Sequence, residues 1–539
     1  MNLDELQTIN ESVEIRKFAE LQCLLVEMND ESYETIRSWI ISSMFVWNQF
    51  LLSELIENIL NTISIRPFSF DLFIKLTHDF IVKCPRTSII AKFKLYLLNS
   101  IFRPIGDWKF VLKIPQFHFI LACMKNNIVS IMEIASAIRR MLPCDGESPN
   151  LSALCFCFFG PYLEHNDNNL FVSLTKSMRI NDADSFFQVY LGPFVEGVNN
   201  LKSNNWEVLI KLVNGTHDDF YLARSIKHDD LPSFQQYVSR PQFNINRQLQ
   251  DSPFELFLYV QGGPTPIQYA AFFGSIKCFK YLLMNRASLT MCDRRGRSIE
   301  QYAIAGGNME IIRILQQINR PFNNCLKIAA QFRHHEIFKW ILELQQYVDL
   351  KTEMNKILNM SSRINNLVYS AVAIENGADI NCKSEGLTPF LSASVYGHYE
   401  IVKYLSKIDG ISLLRQNNEG KNALHFASRS GRLDTVKYLV SLNVFDLNSS
   451  ASDGSTPLHI AAKYGQKEIV EYLAFLEGVD THATDLAGNT AFQYAISYSK
   501  LSIIKSLMGF YDSNQLKNQI SSQISMATNQ NVKDFLLNK

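Results

Sequence analysis

The sequence predicts an all-α chain: a solenoid of stacked helical pairs preceded by an N-terminal helical domain. Three observations carry this reading. Gly386, Gly420, Gly454 and Gly488 recur every 34 residues, a period typical of units that bury their apolar faces only against neighbours. Upstream, apolar residues recur at helical spacing, and no stretch sustains the period-two alternation of a strand. At 539 residues the chain is also too long for a single core.

The N-terminal elements follow from their apolar stripes. Ile36, Trp39, Ile40, Met44 and Trp47 keep one helical face. Leu51, Leu52, Leu55, Ile56, Ile59, Leu60 and Ile63 form a second stripe, and Pro67 breaks the chain before a third that begins with Phe70, Phe73, Ile74, Phe80 and Ile81. Breaks are expected at the loop Pro143 to Pro149, at Gly160-Pro161 and at Leu191-Gly192-Pro193. The expected domains are 1–216 (helical), 217–350 (degenerate repeats) and 351–539 (regular repeats with a C-terminal cap).

Within the regular units the local chemistry is legible. In Ser455-Thr456-Pro457-Leu458-His459-Ile460-Ala461-Ala462-Lys463-Tyr464-Gly465, Pro457 fits a first helical turn and Thr456 can cap it. Ala461 and Ala462 allow close helix approach, and Gly465 is free to take positive φ where the helix stops. A second helix follows, with Ile469, Val470, Leu473 and Leu476 on one face. Looser copies run through Thr265-Pro266 to Gly274, Ser298 to Gly307, and a shortened unit from Ala329 to Leu342, with Arg333 where glycine is expected. Two further helical stretches lie between Asp218 and Val238, and in the last unit Ser499 replaces the inter-helix glycine. Gly465→Val is expected to cost more than Gly306→Ala, because Gly306 reads as helical and alanine is the better helix former.

This set of residues resembles the ankyrin repeat, whose pattern runs G-x-T-P-L-H-x-A-A-x-x-G-x-x-x-I-V-x-x-L. The wording from Gln268 to Ser275 and from Gln301 to Asn308 is similar to a large family of protist ankyrin proteins with a helical segment ahead of the regular repeats. The resemblance implies helix-turn-helix units with β-turn fingers, and a non-catalytic module that holds a partner protein in a concave groove and on its fingertips. It also implies that His425 and His459 bridge neighbouring fingers.

Other functions find no support in the sequence. Lys+Arg and Asp+Glu are both 52, which argues against bulk attraction to nucleic acid or an anionic membrane. No apolar run reaches the ~18 residues of a spanning helix. The start lacks a basic segment leading into an apolar one, so reduced thiols in a cytoplasmic or nuclear setting are expected. Cys155 and Cys157, set among phenylalanines, read as core. His334-His335-Glu336 lacks the second histidine of a zinc-protease helix and reads as a solvated corner. No phosphate loop or nucleophile elbow occurs. Neither a cofactor, a metal nor a catalytic residue is expected.

The expected function is therefore a protein-binding scaffold. A second reading makes the chain a substrate adaptor, with its N-terminal helices docked on a fixed machine such as a ubiquitin ligase. The two residues before each inter-helix turn look into the groove in stacks of this type, which selects Tyr396, Arg429, Lys463, Tyr464 and Tyr498. Lys421, Asp453 and Asn489 are the expected fingertip contacts. Tyrosine and arginine are the types enriched at binding hot spots.

Overall fold

The computed structural model describes residues 13–46, 48–65, 70–82, 92–102, 113–141, 149–178, 205–207, 209–210, 213, 218–241, 243–250, 258–344, 349–498, 500–512, 515–516, 520 and 530–537. Among these every regular element is a helix, and two isolated bridges, Ser384 to Leu387 and Thr484 to Thr490, mark fingers. The chain gathers into two compact bodies, one of Cys23–Gln346 and one of Met1–Gln22 with Tyr347–Lys539. Trp47 of the first stripe, the expected breaks at Pro67, 143–148 and 191–193, and the Ser499 substitution lie outside the described residues.

In the first body, the second apolar stripe becomes the helix Gln49–Ile63, with Leu52, Leu55, Ile56, Ile59, Leu60 and Ile63 buried. The helix Pro149–Asn166 runs straight through Gly160-Pro161, where the sequence suggested a break. A proline inside a helix forfeits one backbone hydrogen bond and crowds the preceding turn. Here packing prevails. Phe158 and Phe159 meet Phe117 edge-on at 5.4 Å and tilted at 5.8 Å, while Phe156 lies between Phe171 and Trp206 at 5.6 and 5.5 Å. Cys155 and Cys157 sit in the same core, where burial pushes both thiols far up.

The same body continues into helical pairs. Asp218–Lys227 and Leu231–Val238 precede Pro266–Phe273 with Ile276–Met284, Ile299–Gly306 with Met309–Gln317, and Leu326–Gln331 with His335–Glu343. The second body continues the pattern. Leu350–Arg363 pairs with Leu367–Glu375, Pro389–Tyr396 with Tyr399–Leu405, and Ala423–Ser430 with Leu433–Ser441. Pro457–Lys463 then pairs with Lys467–Ala474, and Ala491–Ser497 with Leu501–Leu507. The first helix of the chain also belongs here up to Gln22: Ile15, Phe18, Ala19 and Leu21 are buried, and the Gln22 side chain donates to the Asn365 carbonyl at 2.5 Å and accepts from the Leu367 amide at 3.0 Å. Nothing in the sequence pattern announced that attachment.

The seven pairs between Pro266 and Ala474 each turn on one left-handed residue: Gly274, Gly307, Arg333, Asn365, Gly397, Gly431 or Gly465. Arg333 takes φ 58°, so the shortened unit keeps the register despite its missing glycine. The residue after the turn reaches back to the preceding pair. Asn308 donates to the Gly274 carbonyl at 3.4 Å and Gln466 to that of Arg429 at 3.0 Å, while His334 and His398 meet the carbonyls of Ala305 and Arg363 at 3.0 and 3.1 Å. His334 is thus a structural tie, and its neighbour His335 is buried. The solvated corner expected at this sequence is not found, because the turn is packed beneath the previous pair.

Fingers are joined by main-chain bonds, Ser452 N–H to the Glu419 carbonyl at 2.8 Å and Leu486 N–H to that of Asp453 at 3.0 Å. His425 and His459 add the bridge that the resemblance implied: each ring binds its own helix start through Nδ1, and through Nε2 reaches the next finger, at Ser455 O (3.2 Å) and Asn489 O (3.0 Å). Glutamine performs the same task elsewhere. Gln268 accepts from the Thr265 amide at 2.8 Å and donates to the Met291 carbonyl at 2.9 Å, and Gln493 accepts from Thr490 at 2.8 Å.

Two predictions follow from this packing. Gly306 is helical, as expected, yet a Cβ there would collide with the Phe272 carbonyl oxygen of the preceding helix, whereas at Gly465 (φ 76°) it would meet only the flexible Lys500 side chain at 3.2 Å. The expected tolerance of Gly306→Ala is therefore reversed: overpacking against backbone costs about 1–3 kcal/mol, and the left-handed penalty of Gly465→Ala about 1–2 kcal/mol. Urea midpoints should fall in both variants and at least as far in Gly306→Ala; a Gly306→Ala midpoint matching the parent would refute the close approach.

The histidine bridges give the second. Burial holds the imidazoles neutral, pulling His425 down to about 4 and lowering His459 as well. The unfolded chain binds protons below the ordinary histidine value of about 6.5 and the folded chain does not, so this contribution to stability is present above that value and is lost as pH falls towards 4. Replacing both by glutamine, the residue this chain itself uses at the equivalent positions, should remove that part of the acid sensitivity. The gap in melting temperature between variant and parent should move in the variant's favour from pH 7 to pH 4.5 and stay constant from pH 7 to 8.

Candidate protein-binding face

In the pairs from Leu350 to Ala474, the left-handed turn sets which side chains lie at the surface at the end of the first helix. Two residues before it come Arg363, Val395, Arg429 and Lys463; one residue before it come Ile364, Tyr396, Ser430 and Tyr464. Tyr498 ends the first helix of the last pair. Tyr464 and Tyr498 are 39% and 43% exposed, far more than the fully buried Tyr369 and Tyr404 of the second helices, so their rings are not spent on the core.

These residues interlock from pair to pair. The Arg429 guanidinium lies 4.6 Å from the centre of the Tyr464 ring, on the next pair. Lys463 repeats the arrangement one pair later, its ammonium 5.4 Å from Tyr498 and 5.8 Å from Tyr494. Tyr494 stacks on Tyr498 at 6.1 Å and donates its hydroxyl to Asp485 at 2.9 Å. Such cation–ring contacts hold the charges at a defined height without neutralising them. Among the described residues neither Arg429 nor Lys463 has a carboxylate within ion-pair distance.

The other expected residues are placed differently. Tyr396 is half-buried and stacks on His398 at 5.6 Å; burial pushes its phenol up, and Arg363 draws it back down. Lys421 is tied to Glu419 of its own finger at 2.7 Å. Asp453 is exposed but accepts from the Ser455 amide at 3.0 Å and its hydroxyl at 2.5 Å. Asn489 is half-buried; its amide donates to Asp485 at 2.7 Å, and its carbonyl carries the His459 bridge. The structure thus brings Arg429, Tyr464, Lys463 and Tyr498 into one strip and leaves the three fingertip residues bound within the fingers.

Two members of this surface were not selected from the sequence. Tyr494 supports Lys463 from beneath, and its bond to Asp485 repeats the Tyr302 to Asp293 bond of 2.8 Å, with the same spacing of nine residues. That aspartate–tyrosine spacing was a usable signal. Arg363 holds the same register as Arg429 and pairs with Glu385 at 3.6 Å, but its turn residue is Asn365, so no glycine marked the place.

The family model for ankyrin repeats in three copies matches residues 267–354, 358–451 and 442–519. No curated protein shows significant similarity to the chain. No helix among the described residues is long and apolar enough to cross a membrane. The turns, the bridged fingers and the family match agree: residues 267–354, 358–451 and 442–519 of this chain are ankyrin repeats.

Proposed function

We propose that this chain is a non-catalytic scaffold that binds a partner protein along the groove lined by the ends of its first helices. The observation that carries the reading is the strip itself: exposed Tyr464 and Tyr498 interleaved with Arg429 and Lys463, whose charges no carboxylate offsets among the described residues. Aromatic and arginine side chains held rigid before a partner arrives are the usual energetic centres of an interface. Ankyrin repeats are in general protein-interaction modules, which supports the same conclusion.

Affinity capture with the full chain tests it. Tyr464→Ala and Arg429→Glu should each weaken capture of the bound partner by ~1 kcal/mol or more. Both residues are at least partly exposed, so the melting temperature should change little. Lys437→Glu, on a second helix, should leave capture intact. Capture that survives both groove changes and is abolished by Lys437→Glu places the partner on the opposite face.

A further inference from the structure

The chemistry of the strip narrows the partner. Arg429 and Lys463 occupy the same register on successive repeats, each seated on a tyrosine of the repeat that follows. A cation stacked on a ring keeps its outward hydrogen-bond donors for an anion. Two such cations in a row, without carboxylate partners among the described residues, make a surface complementary to negative charge. The chain as a whole is electrically balanced, so the preference belongs to the strip and not to the molecule.

Spacing sets a second constraint. Packed helices stand about 8–10 Å apart, which is the interval between these two cations' positions along the stack. An extended peptide rises about 3.3 Å per residue, so it crosses one repeat in about three residues. In the extended polyproline-II form, with about three residues per turn and a rise of about 3.1 Å, side chains three apart return to the same face. Tyr464 and Tyr498 stay 39% and 43% exposed beside these cations, leaving apolar ring surface for the residues between.

Resting on the groove reading above, we propose that Arg429, Lys463, Tyr464 and Tyr498 take an extended acidic segment of a partner protein, carrying two carboxylates three residues apart.

The test is fluorescence anisotropy of the full chain with a labelled peptide bearing Glu-Ala-Ala-Glu in a Gly/Ser frame. Binding is expected, with loss of about tenfold in affinity, the equivalent of about 1.4 kcal/mol, for Arg429→Gln or Lys463→Gln. Replacing one glutamate of the peptide by glutamine should cost a similar factor, and much less once the facing cation is already gone. A peptide with adjacent glutamates should bind more weakly than the spaced one. Thermal melting of each variant separates loss of contact from loss of fold. Equal binding of the all-glutamine peptide, indifference to both substitutions, or tighter binding of a single-stranded RNA at the same residues would overturn the proposal. If acidic peptides fail while partner capture still depends on Tyr464, the partner class is wrong and the groove stands. If capture ignores Tyr464 and Arg429 altogether, the groove reading itself fails.

Discussion

The repeats between Pro266 and Ala474 each turn on a single backbone position held at positive φ between their two helices. An L-residue rarely adopts that conformation, so glycine dominates the column, yet Arg333 and Asn365 take it too. Fixing that angle fixes what comes on either side. The next residue is aimed back at the preceding repeat, where Asn308, His334, His398 and Gln466 find carbonyls. In the pairs whose first helices end near Arg363, Tyr396, Ser430 and Tyr464, the two residues before it lie at or near the surface, whereas Phe272 and Phe273 before Gly274 are buried. One dihedral therefore sets both the glue between repeats and the surface presented to a partner.

The fingers solve a separate problem, that of buried polar groups. A bond left unmade in such a place costs more than a made one contributes, and the histidines and glutamines at one register satisfy donors and acceptors on two repeats at once. The first body relies on different physics in its N-terminal helices. Interleaved rings of Phe102, Phe117, Phe158 and Phe159 hold a helix together across Pro161, where backbone preference alone would end it.

Much of this was legible in the residues because the repeat writes local rules at fixed intervals. Thr456-Pro457 declares a helix start, Gly465 a turn, and Tyr464 and Lys463 their outward register. What escaped reading was set by neighbours distant in sequence. Gly306 looks replaceable until the Phe272 carbonyl is seen lying against it. His334 looks exposed until its bond to the Ala305 carbonyl is seen, and His335 until Cys23, 312 residues away in sequence, is found against it. Arg363 was hidden because asparagine stands at its turn, and the attachment of Gln22 to Asn365 spans 343 residues, beyond any periodic pattern.

The backward-reaching side chains give the stack a polarity. The last carbonyls of a helix have no partner within it, and here the following repeat supplies one, through Gln466 for the helix that ends near Arg429 and through His398 for the one that ends at Arg363. In these bonds dependence runs in one direction: the side chain of each repeat completes the first helix of its predecessor. For these bonds, a shortening of the array at its C-terminal side uncovers a helix end in what remains, whereas a shortening at the other side only leaves a side chain without its carbonyl. Growth and loss of repeats are therefore not equivalent at the two ends of this molecule.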